Sequence, residues 1–147
     1  MKILLLMLAF AAGMLAPLQA GMNTRMGRAI GDPFYAALIS FAVGTMGLLV
    51  YGLVCRMEFN AIREISHVHW TLWFAGLLGA FYVTATIILT PKLGSTLTFS
   101  LVVAGQLVMA LILDHFGSFG IPVQPFNWPR LLGVALITAG VLLIRKF

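Results

Sequence analysis

An all-α membrane protein with five spanning helices is the fold class that this sequence predicts, and three observations carry the prediction. Of its 147 residues, 61% are hydrophobic and only 9% are charged, whereas a water-soluble domain carries roughly 25% charged residues. Mean hydropathy is +1.05, so the natural solvent of the chain is lipid. Apolar runs near the roughly 20 residues needed to cross a hydrocarbon layer of about 30 Å recur along the chain, separated by polar connectors. The length sets a single transmembrane domain over residues 1–147, with helices expected at about 3–22, 33–55, 70–90, 93–113 and 129–146.

The first run, MKILLLMLAFAAGMLAPLQAGMN, admits two readings. Lys2, an apolar stretch from Ile3 to Leu15 and small residues ending at Ala20 have the layout of a secretory signal peptide. A cut after Ala20 would place Leu18 where a small residue is required, and the later spans give the chain its own route into the membrane, so a retained helix 1 is expected. Pro17 within it is tolerable in lipid, because neighbouring helices can satisfy the carbonyl it frees.

Helix 2 should start sharply at Asp32-Pro33, an N-cap acceptor followed by a residue of pre-set φ. Between helices 2 and 3, RMEFNAIREISHVH mixes charge with Phe59, Ile62 and Ile65, which suits a short interfacial helix. Pro91 cannot continue a helix without losing a hydrogen bond, so helices 3 and 4 are expected to meet in a tight hairpin at Thr90-Pro91. Gly117, Gly120, Pro122 and Pro125 keep the next connector irregular. The last span is short from Leu131 to Ile144 and lengthens if Pro129 opens the helix while Arg130, Arg145 and Lys146 snorkel to the headgroups.

Charge sets no orientation. One side would carry Lys2, Arg56, Arg63 and Arg130, the other Arg25, Arg28, Lys92, Arg145 and Lys146, and topology follows the richer side. Either the close pair Arg25 and Arg28 dominates, or the chain inserts both ways up and pairs with an inverted copy of itself. An odd helix count gives such pairing a purpose, since inverted repeats around an axis in the membrane plane are a common transporter plan. Small residues mark close helix packing: Gly76 and Gly79 in helix 3, Gly94, Thr98 and Gly105 along one side of helix 4, and Gly133 and Gly140 in helix 5. The last two lie on one face and make helix 5 the candidate dimer seam.

Several stretches together resemble a known family. PLQAGMNTRMG, DPFYAALISFAVG, GLLGAFYVTAT, KLGSTLTFSLVVAGQLVMALILDHFG and RLLGVALITAG are similar to the YdcZ-type inner membrane exporters of bacteria, within the drug/metabolite transporter (DMT) superfamily. The resemblance spans nearly the whole chain and is most specific in helices 1 and 4. It implies a five-helix half of a DMT-like ten-helix transporter, paired with an inverted partner or fused to one, in the bacterial inner membrane. Helix 5 also resembles the dimerisation helix of small multidrug resistance proteins. Those proteins carry an essential membrane-embedded glutamate in helix 1, and here helix 1 has no acidic residue, so proton-coupled cation export does not carry over.

Without a buried acid, a substrate site must be assembled from neutral polar groups and backbone. Gln19 and Asn23 lie four apart and share a helix face. Gln106 sits well inside helix 4, where an unpartnered amide is costly. Tyr82 offers a ring face to a cationic or aromatic cargo. These four are the candidate substrate-binding residues, and for the three amides an interhelical hydrogen bond that fixes packing is the competing role. Asp114 ends helix 4 against the helix dipole and needs a cation, with Arg130 the obvious partner; with His115 they form a candidate gate or coupling group. Thr84, Thr86, Ser95, Thr96 and Ser100 read mostly as packing, and Trp70, Trp73 and Trp128 as an interfacial belt.

Other functions lack their residues. The single Cys55 permits no internal disulfide and no cysteine metal site, and His67 and His69 have no third ligand nearby, so no metal or cofactor is expected. No basic run tracks phosphates, which argues against nucleic acid. No nucleophile and base pair or phosphate loop appears, which argues against an enzyme. The expected function is a secondary transporter protomer that exports or exchanges a small molecule by alternating access as an antiparallel dimer, with itself or with a related five-helix partner. The alternative is a non-transporting structural or regulatory subunit packed against a larger membrane protein.

Overall fold

A computed structural model shows an all-helical chain. It describes residues 1–146, without the side chains of Phe59, Ala61 and Arg63, so the connector roles expected of Phe59 and Arg63 lie outside the described residues. In order, the long helices are α1 (Lys2–Ile30), α2 (Pro33–Val54), α3 (Phe74–Leu93), α4 (Ser95–Phe116) and α5 (Trp128–Lys146). With a 3₁₀ turn at Trp70–Trp73 leading into α3, five segments among the described residues are long and apolar enough to cross a membrane. The amphipathic connector expected between helices 2 and 3 forms a 3₁₀ helix over Phe59–His67.

Besides shifts of a few residues, such as α4 ending at Phe116 rather than Leu113, two boundaries depart from the sequence reading for a structural reason. Helix 1 does not stop at Met22 but runs on through Asn23, Arg25 and Arg28 to Ile30. Hydropathy marks where a helix leaves lipid, whereas the helix itself ends only where its backbone pattern is broken. That break comes at Gly31, whose left-handed φ of 90° closes the helix with an N–H bond to the Gly27 carbonyl. Asp32 then caps α2, its Oδ1 accepting from the Phe34 N–H at 2.7 Å with Pro33 in the first turn. Only Gly31 and Asp32 join α1 to α2, so these two helices are forced into a hairpin.

The second difference is at Pro91. A break at Thr90-Pro91 was expected, yet α3 passes through Pro91 to Leu93, and the chain turns at Gly94 with φ 81° and ψ 156°. The hydrogen bond that a proline forfeits is the one to the carbonyl four residues earlier, here Ile87. In this fold the Ile87 carbonyl accepts from the Thr24 hydroxyl of α1 at 3.4 Å. A neighbouring helix thus supplies the missing donor. Gly94 accordingly sits outside helix 4 as its N-cap, not along its side with Thr98 and Gly105.

The chain forms two compact units, residues 1–92 and residues 93–147. In the first, α1, α2 and α3 pack around a small core of Ala36, Ala37, Val83 and Ile87, with Met26 and Tyr82 against it. Gly27 allows the closest approach: a Cβ there would lie 3.3 Å from Pro33 Cα and 3.5 Å from the Ile87 side chain. Gly79 similarly gives room to the Phe41 ring, at 3.5 Å. In the second unit, α4 and α5 pack together, burying Thr98, Phe99 and Val141. Asn127 opens α5, its Oδ1 accepting from the Arg130 N–H at 3.0 Å, so the helix starts at Trp128, one residue before Pro129. Hydroxyls return to their own helices at Thr45, Thr86, Thr98 and Thr138, as lipid requires of a polar group without another partner.

Candidate functional site

The polar cluster of the first unit is built by the α1–α2 hairpin. Asn23 faces α2 because Ala20, Asn23, Thr24 and Gly27 form the buried stripe of α1, spaced by three, one and three residues along a helical face. Its side chain is 4% exposed, and in such a place an amide must be hydrogen-bonded. Asn23 Nδ2 donates to Ser40 Oγ at 3.1 Å. One turn earlier on the same face, Gln19 remains exposed and lines two adjoining grooves together with Ser40. One, of about 410 Å³, also takes in Asn23, Leu15, Met22 and Val43. The other, of about 430 Å³, runs over Gly44 and Thr45. Ser40 lies seven residues beyond the start of α2, so at 1.5 Å per residue the cluster is about 10 Å in from the helix ends.

This brings Gln19 and Asn23 together, as their spacing required, and adds Ser40 and Thr45, which the sequence reading passed over. The available signal was the row of small residues in FYAALISFAVGT, since a serine flanked by Ala36, Ala37 and Gly44 on a helix face is where another backbone comes close. Tyr82 sits elsewhere in the unit, half-buried against the apolar core. Gln106 belongs to the second unit, exposed in mid-α4.

At the far end of α4 the expected ion pair is formed. Arg130 Nη2 lies 2.7 Å from Asp114 Oδ2, with the two side chains 30% and 26% exposed. The guanidinium also donates to Gln124 Oε1 at 3.0 Å and to the Gln124 carbonyl at 3.3 Å, while the Gln124 N–H returns to the Asp114 carbonyl at 2.8 Å. His115 Nδ1 accepts from the Phe126 N–H at 3.2 Å, which sets the orientation of the ring against the connector. Asp114, His115 and Arg130 therefore act together, tying the irregular connector 117–127 down onto the α4–α5 hairpin. Beside them an apolar groove of about 450 Å³ is walled by Val108, Leu111, Phe126 and Val134.

Beyond the turns of their own helix, Gly133 and Gly140 have no heavy atom within 4 Å of where a Cβ would stand, so these positions on α5 leave room for close packing. Among the described residues no group of three or more His, Cys, Asp or Glu is placed to hold a metal. His67 pairs with Glu64 at 3.9 Å, and His69 contacts Thr71 at 2.8 Å, both on the exposed connector.

The family model described as "Putative inner membrane exporter, YdcZ" matches residues 4–143. The inner membrane protein YdcZ of Escherichia coli (strain K12) is 32% identical over 144 residues, covering 96% of this chain and 95% of that protein. No solved structure matches. Exporters are not an enzyme class, and the family gives the chain a transporter-type role. Apolar helices long enough to cross a membrane, five among the described residues, and a match that runs almost end to end place the chain in the inner membrane as a multi-pass protein that belongs to the YdcZ family of inner membrane exporters.

Proposed function

We propose that the chain is one protomer of a secondary transporter that exports or exchanges a small molecule by alternating access, as an antiparallel dimer with itself or with a related five-helix partner, within the DMT plan. The observation that carries this reading is the Gln19–Asn23–Ser40 cleft: neutral amide and hydroxyl groups set inside the apolar span and left open along one side. Open polar groups at that depth need either a partner helix or cargo and water. A second protomer facing the cleft would close it into a cavity shared between two copies. The balanced charges at the two ends of the helices support insertion in both orientations.

In the first unit, cargo would be held by hydrogen bonds from Gln19 and Asn23, with the ring of Tyr82 available to a cationic or aromatic group; in the second, Gln106 would offer its amide to cargo or to water. Asp114, His115 and Arg130 would act at the end of α4, where a gate that opens must break the ion pair. Reconstitution into proteoliposomes tests the reading. Saturable counterflow of one member of a small-molecule panel, lost in Asn23→Leu, is expected, together with signal from C-terminal reporters on both faces of the membrane. Absence of counterflow across the panel, with steady copurification of another membrane protein, would instead mark a non-transporting subunit.

A further inference from the structure

We propose a second binding site, separate from the polar cleft and independent of the transport reading: a pocket for the phosphate head group of an anionic phospholipid, at the end of the first unit where α1 and α3 finish and α2 begins. The hollow holds about 590 Å³, with Arg28 and Lys92 as its cations and Pro33, Ile87, Ile88 and Pro91 among its apolar walls. Arg28 lies in the last turn of α1 and Lys92 in the last turn of α3. Two cations from different helices thus converge on one concavity, and no acidic residue lines it.

Neither cation is engaged. Among the described residues no side-chain hydrogen bond or ion pair involves Arg28 or Lys92, in contrast to Arg130, which has Asp114 and Gln124. Asp32, the acid that follows α1 at this end, has its Oδ1 turned to the Phe34 N–H. The Thr24 hydroxyl, also on the wall, is committed to the Ile87 carbonyl. What the pocket offers a ligand is therefore positive charge above apolar surface. Guanidinium and ammonium groups together suit a phosphate, which accepts several charge-assisted bonds. The isoleucine and proline walls suit the glycerol and first methylenes of a lipid better than a free anion, and basic hollows between spanning helices are places where anionic head groups lodge. Arg25, three residues before Arg28 on the same side of α1, adds to the local field.

The full chain, purified in mild detergent and delipidated, is offered phosphatidylglycerol, phosphatidylcholine, or glycerol 3-phosphate, and retained ligand is counted by native mass spectrometry. Phosphatidylglycerol should be held and phosphatidylcholine not. Neutralising Arg28→Gln and Lys92→Gln should each weaken retention roughly fivefold, while Arg145→Gln on α5 leaves it unchanged. Ile88→Trp, which fills the hollow without touching a charge, should also lower retention. Equal retention of both lipids, or unchanged phosphatidylglycerol binding in the doubly neutralised variant, overturns the site. Displacement of phosphatidylglycerol by millimolar glycerol 3-phosphate overturns the lipid as its source and assigns the pocket to a soluble phosphate.

Discussion

The contact between Thr24 and the Ile87 carbonyl gives the sharpest test of how this membrane fold is held. Pro91 has no N–H for Ile87, and both partners are largely buried, Thr24 at 8% and Ile87 at 3% exposure, so the Thr24 hydroxyl is the donor that the fold supplies. Thr24→Val keeps the shape and removes the donor. Interhelical hydrogen bonds within membranes average about 0.6 kcal/mol with a ceiling near 1.7, and at 3.4 Å this one is long, so a cost of about 0.6 to 1 kcal/mol is expected. Pro91→Ala restores an N–H to residue 91, which then bonds Ile87 as in any helix. In that background Thr24→Val should cost little, because the carbonyl already has its donor. Any apolar gain from valine is common to both backgrounds and cancels in the cycle. Reversible unfolding in mixed micelles, followed by far-ultraviolet circular dichroism, measures all four proteins. A coupling below about 0.3 kcal/mol, the limit of ordinary additivity, would refute the claim that Thr24 serves the carbonyl freed by Pro91.

Other perturbations separate tight contacts from open ones. Gly27→Ala forces a methyl to 3.3 Å from the Pro33 backbone, so overpacking of about 2 kcal/mol outweighs a helix-propensity gain of about 1 kcal/mol, and the unfolding midpoint should fall. Gly13→Ala, with nothing within 4 Å, should raise it slightly in the same assay. Asp114→Asn removes the ion pair with Arg130 and about 1 kcal/mol of restraint on the connector, which limited proteolysis between residues 117 and 127 should register as cleavage about fivefold faster. A Cβ at Gly140 would meet nothing within 4 Å beyond its own helix turns, so in Gly140→Leu the monomer should unfold nearly as before while crosslinked dimer falls, if α5 is the seam; an unchanged dimer yield moves the seam elsewhere.

Hydropathy made the five spans legible because length and apolarity are what a bilayer selects, and those properties are written locally. Helix ends were legible only where a backbone rule acts, as at Asp32-Pro33, and misread where polarity was taken for a break, as at Met22. Pro91 misled for a different reason: its cost depends on a donor 67 residues away, Thr24, and no local rule sees that partner. In the site, Gln19 with Asn23 and Asp114 with Arg130 followed from helical spacing and from the need of a helix-end acid for a cation. Ser40 was missed because a serine in an apolar helix carries no charge signal, and only the pairing of α1 with α2 makes it the partner of Asn23.

In lipid, exposure of apolar side chains says nothing about partners: Leu48 at 74% and Phe81 at 75% exposure are in contact with what they prefer. The information lies in the polar groups that point outward at depth. Gln106 lies eleven residues into α4, about 16 Å from its start at 1.5 Å per residue, close to the middle of a hydrocarbon layer of about 30 Å. It is exposed, and among the described residues no hydrogen bond involves its side-chain amide. An amide left so in hydrocarbon costs several kcal/mol, more than a few ordinary packing contacts return. Something polar must therefore meet Gln106 in the working protein, either a group on another chain or a cargo and its water. Gln106→Leu distinguishes the two: loss of dimer with it assigns the amide to the partner, whereas an intact dimer that no longer moves cargo assigns it to the path.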